Sequence, residues 1–497
     1  MNTVSRTRQR LRRWSVLGLL AGASAGAQAT KQAPAKLDRN VVPAAGKAPE
    51  LRVPTWTRTT LANGAELVVS VKRGLPLVTV NFSFLGGASQ YEDPAKTGVA
   101  SLAAQMLREG TTTRSGDQFA DAEQLLGTSL SASVGNESGS MGFTALTSRL
   151  DGALELSADM LLNPTFPADA LERLRAQRLV ALTTARDQVG AIANTVFAKV
   201  LYGDEHPFGR VVTEPSLKAI TRDDVVAFHR AYFQPGRAVI TVVGDVDPAR
   251  VRASVEKAYA NWAKAGERPT FAYPATPAQS PTTIWLVDKP KAAQTQFALG
   301  LPGPPRSTED YYALAVMNRI LGGHFQSRLN YLIREVKGYS YGVSSSFAYG
   351  RGPGAFRAGG AVSTPKTDSA LIDFMAELRS VQGGRPFTSE ELFQGKDGLV
   401  QSLPAQFDRV NGIAISIANI YVQGLPETYY QDLPKNIAAV TSDDLVRVAK
   451  KYIDLERLNI VLVGDRAVIE EPLRKLNIGP IVLLDLDGKR VASPAVP

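Results

Sequence analysis

The feature that most constrains this chain is a repeat of itself. Residues Ile220 to Asp245 read ITRDDVVAFHRAYFQPGRAVITVVGD, and Val440 to Asp465 read VTSDDLVRVAKKYIDLERLNIVLVGD. Thr221 and Thr441, Asp224 and Asp444, Tyr232 and Tyr452, and Gly244 and Gly464 each stand 220 residues apart. Weaker echoes pair Glu92-Asp93 with Glu309-Asp310, and Phe166 and Leu171 with Phe387 and Leu392. A period this long is a duplicated domain rather than a short stacking unit. In each copy the pattern runs strand, strand, helix, strands, long helices, strand, helix. The expected fold is therefore α+β, with two tandem homologous domains, each a mostly antiparallel sheet packed under helices.

The rest of the chain falls around these copies. Residues 1–29 carry five arginines, then an apolar run from Trp14 to Ala25 and an Ala-Gln-Ala end, which reads as a signal peptide cleaved near Ala29. Export, with a periplasmic location, is the expectation, by either the general or the twin-arginine route. Residues 30–50 are rich in Ala, Pro and Lys and read as a disordered arm. The first domain is expected over 51–264, a linker rich in Pro, Thr and Ala over 265–283, and the second domain over 284–488. No later apolar run approaches the roughly twenty residues of a membrane span. Without the leader, 51 basic residues face 47 acidic ones, so no nucleic-acid footprint remains. There is no cysteine, hence neither a disulfide nor a lipid-bearing thiol.

Local patterns mark the elements. Asn63-Gly64 signals a hairpin between strands ending near Leu61 and starting near Glu66. Val78, Val80, Phe82 and Phe84 alternate with polar residues, as a strand with one buried face requires. Val99, Leu102, Ala103, Met106 and Leu107 form a helix stripe closing at Gly110. Helix is expected from about Pro167 to Tyr202, and strand from Ala238 to Val243. In the second copy, Leu329, Leu332, Ile333 and Val336 recur at helical spacing before Gly338. From Tyr339 the odd positions Tyr341, Val343, Ser345 and Phe347 are the bulky face of a strand. By that pattern alone, Tyr341 reads as half-buried packing.

Taken together, GVASLAAQMLREGT after a strand, LYGDEHPFGR, the repeated VGD strands and LGGHFQSRLNYLIREVKGYSYGV resemble the pitrilysin or insulinase metallopeptidase family, nearest its mitochondrial-processing-peptidase-like branch. The resemblance covers nearly the whole chain after the leader. It implies an inverted zinc motif, His-x-x-Glu-His, on the first domain's helix, where two histidines share a zinc ion and the glutamate acts as general base. Here those positions hold Ser101, Ala104 and Gln105, none of which can serve. The distal acidic ligand is missing too, because no acidic residue occurs from Arg173 to Arg186. The three histidines, His206, His229 and His324, are scattered and have no helical partner.

The second domain, by contrast, keeps an arginine and a tyrosine seven residues apart, Arg334 and Tyr341, which in the family reach the zinc site and hold the substrate carbonyl as charge develops. Gly322, Gly323 and His324 resemble a shortened form of the glycine-rich segment of processing-peptidase non-catalytic subunits; an ordinary turn between elements is the other reading. The resemblance thus implies a chain that binds no metal and is inactive alone. It would act as the zinc-less subunit of a heterodimer, paired with a related zinc-motif-bearing subunit and handling peptide substrates. The alternatives are a catalytically silent scaffold and a self-sufficient enzyme with a different metal site.

Overall fold

The computed structural model describes residues 50–264 and 270–491. The expected signal peptide, the arm up to Pro49 and the first five residues of the expected linker lie outside the described residues. The strands are β1 (Thr57–Thr60), β2 (Glu66–Val71), β3 (Leu77–Leu85), β4 (Ser131–Val134), β5 (Ser138–Leu146), β6 (Ala238–Gly244), β7 (Thr283–Asp288), β8 (Gln294–Gly303), β9 (Val343–Ala348), β10 (Gly354–Ser363), β11 (Asn459–Gly464) and β12 (Ile481–Leu484). They form two six-stranded sheets, ordered β1-β2-β6-β3-β5-β4 and β12-β7-β11-β8-β10-β9. The duplication is thus structural, with one exchange: an N-terminal strand closes the first sheet and a C-terminal strand the second.

Most neighbouring strands are antiparallel, but β2 runs parallel to β6, and β7 runs parallel to both β11 and β12, so the sheets are mixed. The parallel pairs arise from the connections. Strands β6 and β11 arrive after long helical crossovers and insert at the centre of their sheets, where all of their residues are buried.

Seven helices position the candidate site and tie the two domains together: α1 (Val99–Met106), α2 (Ala168–Ala185), α3 (Val189–Tyr202), α4 (Arg222–Tyr232), α5 (Tyr311–Leu321), α6 (Val410–Gln423) and α7 (Ser442–Tyr452). The α1 stripe is buried as its spacing requires, at Val99, Leu102, Ala103 and Met106. The repeat is visible down to its caps. At the start of α4, Asp224 N donates to Thr221 Oγ1 and Thr221 N donates to the Asp224 carboxylate at 2.8 Å. The same box opens α7 with Thr441 and Asp444, at 3.0 Å.

The helix expected over 167–202 is two helices, broken at Arg186–Gln188, and the break redirects the chain. Helix α3 leaves its own domain and packs on β8 and β11 of the second sheet, where Ile192, Ala193 and Val196 meet Val287, Ala298 and Val461. Helix α6 makes the reciprocal crossing onto β3 and β6, so that Ile413, Ile417 and Ile420 share a core with Val68, Val239 and Val243 of the first sheet. Each fully buried aliphatic side chain contributes about 1.5–3 kcal/mol. Neither sheet is covered on both faces without the other domain's helix.

The chain between the domains, 270–282, has no helix or strand but is fixed in place. Phe271 packs edge-on against Tyr91, and Gln279 accepts from Asn459 Nδ2 at 2.7 Å. Strand β7 already begins at Thr283, the last residue of the expected linker.

Candidate functional site

Two places carry the expectation of chemistry, the helix α1 and the segment from Gly322 to Tyr341. At α1 the chain turns through Gly98, whose φ of 111° favours glycine. The helix start is satisfied by Glu92, whose carboxylate accepts from Gly98 N at 3.1 Å and Ala100 N at 2.8 Å. Burial raises the Glu92 pKa above its ordinary value, partly offset by these two bonds. The Ser101 hydroxyl turns back to Gly98 O at 3.0 Å, Ala104 is buried and Gln105 is exposed. A hydroxyl engaged with its own backbone, a methyl group and an amide supply neither the ligands nor the proton acceptor that a zinc hydrolase needs. These residues do not fit zinc.

The histidines do not compensate. His206 sits over Tyr202 and accepts from Phe208 N at 3.1 Å. His229 bonds Leu161 O at 2.8 Å, and its pKa is lowered by burial. His324 accepts from Gln326 N at 3.0 Å, its pKa lowered by burial and by Arg319. Among the described residues, no group of three or more His, Asp or Glu side chains is placed to hold a metal ion.

The second-domain segment is held firmly. Gly322 closes α5, and its carbonyl accepts from Ser345 N of β9 at 3.0 Å. A Cβ on Gly322 would lie 2.4 Å from that nitrogen, and one on Gly323 would lie 2.8 Å from Arg319 Cα, so close packing sets both glycines. The glycine pair is a tight helix-ending turn seated on β9. Beyond it, Arg328 is buried and doubly bonded to Glu391, at 2.7 and 2.8 Å, and also reaches Pro386 O. Asn330 ties the segment together, donating to Phe325 O at 2.6 Å and accepting from Val343 N at 3.0 Å.

Here the structure departs from the expected regular helix. Residues Arg328–Asn330 make one α-turn, and Tyr331–Val336 widen into a π-helical turn. The wider turn breaks the 3.6-residue stripe, so Leu329 and Ile333 are buried while Val336 is 57% exposed. The strand begins at Val343 rather than Tyr339, which leaves Tyr341 in the connecting loop. Arg334 stacks 4.4 Å from the Phe325 ring centre and pairs with Glu335 at 3.2 Å. Ser340 Oγ donates to Ala361 O at 2.6 Å and fixes the backbone before Tyr341, whose own side chain is 90% exposed. The reading of Tyr341 as core packing is therefore excluded. Among the described residues Arg334 and Tyr341 make no hydrogen bond to each other; they share one segment of the chain.

Sequence reading missed the anchors Arg328, Asn330 and Glu92. Glu92 was visible only as an echo of the repeat. Arg328 lies one residue before the apolar stripe, and only its burial distinguishes it from a surface arginine.

Similarity to known proteins fits this geometry. A family model described as insulinase (peptidase family M16) matches residues 68–199, and one described as the peptidase M16 inactive domain matches residues 219–399. An uncharacterized zinc protease of Mycobacterium tuberculosis is 30% identical over 306 residues, 61% of this chain and 68% of that protein. A non-peptidase homolog of Helicobacter pylori is 24% identical, over 79% of this chain and 90% of that protein. The crystal structure of a peptidase M16 inactive domain from Pseudomonas fluorescens superposes with a TM-score of 0.76 and 26% identity, covering 82% of this chain and 98% of that one. The fold and the duplicated sheets define a two-domain protein of the peptidase M16 class. The chain belongs to the insulinase (peptidase M16) family, as an inactive homologue.

Proposed function

We propose that this chain is the zinc-less subunit of an exported heterodimeric metallopeptidase, lending Arg334 and Tyr341 to a site whose metal, ligands and general base belong to a related partner chain. The observation that carries this reading is Tyr341: a phenol 90% exposed, on a backbone pinned by Ser340, within one segment of a half-exposed arginine. A tyrosine held this way is open to a group from another chain, which supports the reading. A guanidinium and a phenol both donate hydrogen bonds. Aimed at an oxygen that gains negative charge as a peptide bond is attacked, each donor is worth about 10²–10³ in rate, roughly 3 kcal/mol. The substrate is an extended peptide, bound by adding a strand to a sheet edge.

The test is reconstitution. The purified chain alone should hold no stoichiometric zinc and cleave no peptide. Mixed with a homologue that keeps His-x-x-Glu-His, it should raise peptide turnover well above that of the homologue alone, and Arg334→Ala should cut the gain at least tenfold without preventing assembly. A catalytically silent scaffold instead predicts that mixing changes nothing. Zinc and cleavage by the lone chain would refute both.

A further inference from the structure

The duplication supplies an internal control for a groove in the first domain. A cleft of about 710 Å³ lies between the face of β3, β4 and β5 and the crossing helix α6. The same arrangement, with α3 over β8 and β10, occurs in the other domain, and the two can be compared position by position. Helices α3 and α6 have the same length, 14 residues, so Phe197 corresponds to Ala418 and Tyr202 to Gln423. The strand registers give the third position, since Ser140 pairs with Ser83 in the first sheet and Arg357 pairs with Gly300 at the equivalent place in the second.

In the second sheet these positions are filled. Phe197 lies so close to Gly300 that a Cβ there would sit 2.7 Å from its ring, Tyr202 donates to Gly354 O at 2.7 Å, and Arg357 spans to Asn194 at 2.6 Å. In the first sheet, Ala418, Gln423 and Ser140 replace them, and all three line the open groove. Three large side chains have given way to three small or unbranched ones at one site.

The lining is also uncharged, from Thr79, Asn81 and Ser83 on the floor to Asn411 and Asn419 on the helix. Some hydroxyls of this face are paired, Thr79 with Thr144 at 2.8 Å and Ser140 with Ser133 at 3.0 Å. The side-chain amide oxygen of Gln423 is buried with no hydrogen-bond partner among the described residues. Asn411 and Asn419 stand eight residues apart on α6, about 12 Å along a helix axis, the length of between three and four residues of extended chain. Amides at that spacing match the alternating N–H and C=O groups of a peptide backbone, and a lining without charge is indifferent to side-chain charge. The only aromatic ring in the lining, Phe143, is buried, so nothing offers the exposed ring face on which a sugar would stack.

We infer that this groove binds an extended polypeptide segment through its main chain, between the serine-rich face of the first sheet and α6. The site is separate from Arg334 and Tyr341, and the inference does not depend on the partner-subunit reading.

The test uses the full chain and a fluorescein-labelled decapeptide of alanine, serine and valine, acetylated and amidated to remove its charges. Fluorescence anisotropy should report binding that Ala418→Phe, or Ser140→Arg, weakens at least tenfold by restoring the plug of the second domain. The same peptide with alternate amides N-methylated should bind at least tenfold more weakly to the native chain. Melting curves of the two plug variants establish that they fold; should either not, the N-methylated peptide decides alone. Equal binding of the methylated peptide, unaltered binding by a folded plug variant, absence of binding, or displacement of the peptide by a neutral oligosaccharide would each overturn the inference.

Discussion

Replacing Glu391 by glutamine isolates the anchor of the Gly322–Tyr341 segment. The Arg328 side chain is only 3% exposed, and Glu391 is its one ionic partner among the described residues. Glutamine keeps the shape and one acceptor but leaves a buried guanidinium without a counter-charge, supported by Pro386 O, Ser380 Oγ and the Phe387 ring. Breaking a buried pair this way costs about 3–5 kcal/mol, and the remaining partners place Glu391→Gln near 3. Unfolding entropy is about 2.1 cal/mol/K per residue, so two interlocked domains unfolding together, about 440 residues, should lose about 3 °C in Tm. A second domain unfolding alone, at about 200 residues, would lose about 7 °C. The pH dependence gives an independent check. Burial tends to raise the Glu391 pKa, but Arg328 outweighs it and holds the value at about 2. A carboxylate with a depressed folded pKa stabilises the fold above its unfolded value of about 4.3, and that stability is lost as pH falls toward 2. Differential scanning calorimetry between pH 7 and pH 3 should show native stability declining below about pH 4.5, with the Glu391→Gln protein declining less over the same window. An unchanged Tm at pH 7, or parallel pH profiles, would refute the assignment of Arg328 and Glu391 as the anchor.

The same geometry has other consequences. Gly322→Ala places a methyl carbon against the Ser345 nitrogen and should destabilise the chain by about 1–3 kcal/mol, measured by urea unfolding. Tyr341→Ala, which removes a ring already in solvent, should change stability by less than about 0.5 kcal/mol in the same assay. Residues 50–264 and 270–491 produced separately should each be poorly folded by circular dichroism and by hydrogen exchange, because each lacks the helix that covers its sheet; produced together they should assemble. A stable, protected half-chain would contradict the exchange of α3 and α6.

The architecture was largely legible in the sequence because it rests on signals that repeat. The Thr-Asp capping boxes, the apolar central strands and their Gly-Asp ends recur at a fixed spacing, and local chemistry sets all three. The exchange of α3 and α6 was not legible. Both helices are apolar around most of their circumference, which says that they are buried but not by what, and the break at Arg186–Gln188 contains neither glycine nor proline. The order of the candidate site was legible and its geometry was not. Leu329, Leu332, Ile333 and Val336 fit a regular helix, but the wider turn that exposes Val336 depends on how Arg328 and Asn330 are held from elsewhere in the chain. Alternation from Tyr339 likewise suggested a strand that starts four residues before the backbone pairs.

The central claim is that this chain donates a phenol to another chain's reaction, and the most direct measurement is peptide turnover by the reconstituted pair carrying Tyr341→Phe. Phenylalanine keeps the ring and removes only the hydroxyl. The account predicts a fall of at least tenfold in kcat, with KM and the affinity between the subunits unchanged. Native turnover by the Tyr341→Phe pair would contradict it.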